Sequence, residues 1–149
     1  MPGLNEVRVY LSGLWLLIRG EAAGLKRLDV SDRGLMRSFW AILWCLPAMT
    51  VSWLWWRALY LRGMPQDTEL GGIFFFRLAM LELANWLVPL ILIGFMAWGL
   101  ALGRKYYAIV VAVNWLSVPF AYAYAVLSLL LMLAPNLNGI LSLIWLMLM

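Results

Sequence analysis

The chain has 149 residues, 66% of them apolar and 12% charged, with a formal net charge of +4 and a mean hydropathy of +0.90. A soluble domain is about half apolar and about a quarter charged, so this composition excludes a soluble enzyme, a disordered tail and a free nucleic-acid-binding module, and implies an integral membrane helix bundle. Without histidine, and with Cys45 as its one cysteine, the sequence also excludes an internal disulfide, an iron–sulfur or bis-histidine haem centre, the usual zinc, copper and non-haem iron sites, and histidine acid–base catalysis.

At the N-terminus Leu4, Val7, Leu11, Leu14 and Ile18 recur at helical spacing, with Asn5, Arg8, Ser12 and Arg19 largely on the other side. This is the pattern of an amphipathic helix. The charge-free stretch Val9 to Ile18 is too short to span and lacks a small-residue cleavage site, so it is not a signal peptide. It reads as a helix lying in the membrane interface. A charged, turn-rich connector, Gly20 to Gly34, follows, with Ser31 or Asp32 as N-cap of the next helix. Residues 1–34 are therefore read as a cytoplasmic amphipathic helix and connector, and 35–149 as a transmembrane domain.

Charge-free windows delimit the spans. Arg37 and Arg57 bracket 19 uncharged residues, Ser38 to Trp56, and the first span is placed at about 38–61. Pro47 within it predicts a kink whose freed carbonyl neighbouring helices must satisfy. The second window, Leu83 to Gly103, is 21 residues long, and its span is placed at about 78–103. Tyr106 to Met149 holds no charge over 44 residues, too long for one helix. The breaker-dense run Ala134 to Gly139 divides it into a third span, 106–133, and the beginning of a fourth, 139–149, so the chain reads as one that continues. The expected fold is all-α: a polytopic transmembrane helix bundle of three full spans and part of a fourth, preceded by an amphipathic interfacial helix.

The basic residues orient it. With the N-terminus cytoplasmic, the inside carries Arg8, Arg19, Lys26, Arg27, Arg33, Arg37, Arg104 and Lys105, and the outside Arg57, Arg62 and Arg77. Eight against three obeys the positive-inside rule. The inside set is expected to face an anionic lipid surface and not nucleic acid, since no stacking groove or recognition helix accompanies it. Trp53, Trp55 and Trp56 near one face, with Trp40, Tyr106 and Tyr107 near the other, read as interfacial belts.

Few polar groups enter the spans. Glu82 is the acidic residue closest to a hydrophobic window, and Asn85 follows one turn later on the same face. Together they are a candidate ion or proton site, because an ionisable group in a membrane segment is a functional candidate by default. Against this, counting back from Gly103 places Glu82 about 30 Å up the helix, near the far interface, where it would pair with Arg77 or water. Asn114, with Ser117 three residues on, is expected about 12 Å inside the inner face, as interhelical glue or as a substrate contact. Gly99 and Gly103 form a GxxxG pattern which, with Gly94, predicts close helix packing.

The stretch Leu28-Asp29-Val30-Ser31, then Gly34, then Arg37-Ser38-Phe39 leading into a Pro-kinked span resembles the start of a group of small bacterial Yip-like membrane proteins. Glu82 and Pro89, Gly103-Arg104 with Tyr107, and Asn114-Trp115 are similar to the same group, so that the likeness covers roughly residues 17 to 133. The resemblance implies more spans than this chain contains and a transporter-like label without an assigned reaction. It supplies no catalytic residues.

Three function classes follow. The first, taken jointly, is a non-enzymatic membrane-organising scaffold or an accessory subunit of a larger inner-membrane complex, partnered by the lipid bilayer and by other membrane subunits or itself. The second is a small permease with Glu82, Asn85 and Asn114 lining a path. An intramembrane enzyme ranks last, because no nucleophile–base pair exists without histidine. No cofactor or metal is expected.

Overall fold

The computed structural model describes residues 2–65, 71–133 and 139, all of them in helices, turns and coil, with no strand among them. The expected turn at 134–139 and the partial fourth span at 139–149 lie, apart from Gly139, outside the described residues. Among the described residues, three helical stretches are long and apolar enough to cross a membrane: Asp32–Arg62, Gly72–Gly99 and Lys105–Leu133.

Helix α1 runs over Leu4–Ile18, the span of the helical apolar repeat. Its first turn is closed by Glu6, whose carboxylate accepts the Gly3 N–H at 3.0 Å and satisfies one of the orphan donors of a helix start. Its end is set by Gly20, held at φ +81°. There the Gly20 and Glu21 N–H groups donate back to the Leu17 and Leu16 carbonyls, each at 2.9 Å, the hydrogen-bond pair of a left-handed helix stop. A short 3-10 helix, Ala22–Arg27, then doubles back on α1. The two meet at glycines: a methyl group on Gly24 would overlap the Gly13 carbonyl, and one on Gly13 would stand 2.9 Å from the Gly24 carbonyl oxygen.

Helix α2, Asp32–Ser38, is capped by the Ser31 hydroxyl, which accepts the Gly34 N–H at 3.1 Å. Asp29 fixes that hydroxyl by accepting from both the Ser31 N–H and Oγ, at 3.1 and 2.6 Å. Position 34 has no room for a side chain, since a Cβ there would overlap the Asp29 carbonyl. Helix α3, Ala41–Arg62, starts after a break at Phe39 and Trp40, so the stretch Asp32–Arg62 is two helices in series, the second covering most of the expected first span, 38–61.

Helix α4, Gly72–Gly99, and helix α5, Gly103–Leu133, depart from the expected limits of 78–103 and 106–133. Arg77 does not end α4, because a long basic side chain keeps its charge outside while its stem lies along apolar surface. The other end is set by Ala101, a non-glycine residue at φ +54°. The Leu102 N–H donates to the Ala97 carbonyl at 2.8 Å and the Ala101 N–H to the Trp98 carbonyl at 3.2 Å, stopping α4 as Gly20 stops α1.

The chain groups into two compact units. One joins the residues up to Trp44 with Leu87–Pro119; its buried residues include Val7, Tyr10, Leu14, Leu28, Val110, Val111, Asn114 and Trp115. Here α1 packs on α5, the Tyr10 and Trp115 ring centroids standing 4.9 Å apart, and Arg37 of α2 donates to Glu6 of α1 at 2.7 Å. Residues 1–34 therefore share one compact unit with residues 35–44 and 87–119. The other unit joins Cys45–Trp86 with the chain from Phe120 onward. Trp55, Leu127 and Leu131 cluster in its interior, and Tyr60 meets Phe74 edge-on at 5.6 Å.

Candidate functional site

The polar residues of the spans fall into two groups. In the unit that contains α1, Asn114 and Ser38 are both fully buried, and the Asn114 amide donates to the Ser38 hydroxyl at 2.8 Å. Ser38 in turn donates to the Leu35 carbonyl at 2.7 Å. Ser117 donates to the Asn114 backbone carbonyl at 2.6 Å, a local bond within α5. Asn114 therefore ties α5 to the end of α2, as interhelical glue does.

That tie is the last link of a polar chain built by residues 29–38. Asp29 orders Ser31, Ser31 caps α2, Gly34 admits the Asp29 carbonyl, Arg37 reaches back to α1 and Ser38 reaches across to α5. The sequence reads these positions as the end of a charged connector, an N-cap at Ser31 or Asp32 and the start of a span, because nothing local reveals that their partners lie in α1 and α5. Hydrogen bonding to Arg37, and secondly to the Gly3 N–H, holds the Glu6 carboxyl below the usual glutamate range. The Ser31 hydroxyl does the same for Asp29.

In the other unit, α4 begins ten residues before Glu82. The carboxyl group thus stands about 15 Å along the helix and not at its outer end. It forms no ion pair with Arg77; Trp53 of α3 lies beside it. Asn85 occupies the middle of α4, about 20 Å from either end. Its side chain is exposed and forms no hydrogen bond among the described residues. Pro89, four residues on, has no N–H to give to the Asn85 carbonyl. Glu82 and Asn85 belong to one unit, Asn114 and Ser117 to the other.

The expected GxxxG contact is corrected. Gly99 is the last residue of α4 and Gly103 the first of α5, so the turn at Ala101 separates them, and a methyl group on either would meet nothing within 4 Å. Close packing occurs instead at Gly94, where a Cβ would lie 3.1 Å from the Tyr106 hydroxyl, and Tyr106 donates to the Leu90 carbonyl at 3.1 Å. Of the basic set, Arg8, Arg19, Lys26, Arg27, Arg33 and Lys105 are exposed, Arg37 is half-buried in its pair with Glu6, and Arg104 lies in the first turn of α5. No family model, curated protein or solved structure matches the chain.

Proposed function

We propose that this chain is a non-enzymatic membrane-organising scaffold or accessory subunit of the bacterial inner membrane, N-terminus inside, whose α4 lies against a helix of another subunit or of a second copy. The observation that carries the reading is Asn85. An exposed amide at the middle of an apolar helix finds no water in hydrocarbon, and lipid tails cannot replace it. A polar group on a facing helix can. The rest of α4 agrees, since 6% of its most apolar stretch is buried, against 33% and 28% for the other two spans. Orientation rests on the eight-against-three distribution of basic residues, and kinship with the Yip-like group on the residues that line the 29–38 chain.

The test is gentle extraction into nanodiscs followed by native mass spectrometry of the wild-type chain and Asn85→Leu. The expected result is a stoichiometric partner or a homo-oligomer that the substitution removes, with helix content unchanged. A monomer in both cases overturns the reading. It would favour a permease instead, because Glu82 and Asn85 share one face of α4, and Glu82→Gln should then abolish flux while leaving the fold intact.

A further inference from the structure

The amphipathic repeat of α1 does not bury in one direction. Val7, Tyr10 and Leu14 are buried against protein, with Gly13 set on the 3-10 helix. The apolar stripe left over is Leu4, Leu11, Trp15 and Ile18, at i, i+7, i+11 and i+14. Three of its members are well exposed, Leu4 at 63%, Trp15 at 56% and Ile18 at 63%.

Cations border that stripe. Arg8 and Arg19 follow it round the helix on one side, and the Arg19 guanidinium sits 5.2 Å over the Trp15 ring. Arg27 is brought to the same side by its bond to the Ser12 hydroxyl at 2.8 Å. The one acid of α1, Glu6, is turned to Arg37. Tyr10 fastens α1 to Trp115 of α5, their ring centroids 4.9 Å apart, so α1 is held against a membrane-spanning helix.

We propose that the Leu4–Leu11–Trp15–Ile18 stripe inserts into the interface of a bilayer containing anionic phospholipid, with Arg8, Arg19 and Arg27 on the lipid phosphates. This goes beyond the α4 reading and does not depend on it: α1 can dock on lipid whether or not α4 meets a partner. The apolar side chains supply burial, the guanidinium groups supply bidentate donors for phosphate, and Trp15 with Arg19 above it has the amphipathic character of an interfacial anchor.

The test uses the full chain carrying a nitroxide at Ile18→Cys, the native Cys45 being buried, in nanodiscs of phosphatidylcholine alone or mixed with phosphatidylglycerol. Collisional access to oxygen and to a water-soluble nickel chelate is read at that site and at Ala23→Cys, an exposed position of the 3-10 helix. The expected result is shielding from nickel at 18 but not at 23, stronger with phosphatidylglycerol. Arg8→Gln with Arg19→Gln and Arg27→Gln should weaken docking roughly a hundredfold, from about a fivefold effect per basic residue near an anionic surface. Equal nickel access at 18 and 23, or shielding indifferent to phosphatidylglycerol, overturns the proposal. Dipolar broadening between labels would assign the stripe to a second copy and overturn it too. Should the triple variant fail to fold, the lipid comparison on Ile18→Cys alone decides.

Discussion

Ala101 and Gly20 do the same work with different residues. Each stands in the left-handed region at the end of a helix, where a Cβ costs about 1 kcal/mol and glycine avoids the clash. Ala101→Gly should therefore stabilise the α4–α5 turn, by up to about 1 kcal/mol after the extra freedom glycine gives the unfolded chain. Gly20→Ala should destabilise by a similar amount, and thermal unfolding in detergent reads both. No glycine marks position 101, which is why the sequence carries α4 on to Gly103. At Asn114 the hydrogen-bond partner, Ser38, is 76 residues away, and no spacing rule reaches that far. A double-mutant cycle of Asn114→Leu and Ser38→Ala should give a coupling of about 1 kcal/mol, within the range for interhelical hydrogen bonds in membranes. Additive effects would show that the amide is held by other contacts.

Among the elements, α1 responds most directly to pH. The Glu6 carboxylate joins its own helix start to Arg37, and these bonds depress its pKa. A depressed carboxyl contributes stability above its unfolded value, about 4.3, and loses it as pH falls through the folded value. Acidification below about pH 4 should thus loosen α1 from α2 while the spans persist. Hydrogen exchange resolved by segment should show residues 4–18 gaining exchange first, and Glu6→Gln should remove most of that pH dependence. The limits of α1 were legible because apolar spacing and helix ends coincide there. Its orientation was not: a repeat says which side chains are apolar, not whether protein or lipid covers them, and so Val7 and Leu14 are buried beside Tyr10. Charge as a marker of span ends failed at Arg77, since an arginine is tolerated near a helix end.

At the scale of the whole molecule, the count of long apolar stretches was the most readable property, because three charge-free runs leave no other way to satisfy the backbone in a membrane. What the sequence withheld is how unevenly those helices are used. Asn114 is spent inside the chain, whereas Asn85 is offered outward from the middle of α4. If α4 meets another subunit, Asn85→Leu should separate the two without lowering the melting temperature of the isolated chain, because the amide forms no hydrogen bond among the described residues. Melting and native mass spectra measured on one preparation test that separation directly.

The contact between Tyr10 and Trp115 also fixes an order in time. One partner is made 105 residues before the other, a wait of about 5–20 s at ordinary rates of synthesis. Through that interval α1 exists without the surface that receives it, its tyrosine and leucines uncovered and Glu6 alone free to meet Arg37. Biogenesis therefore passes through a stage in which the first helix made is the last to be seated, and whatever shelters it then, lipid surface or chaperone, acts before the third span is in place.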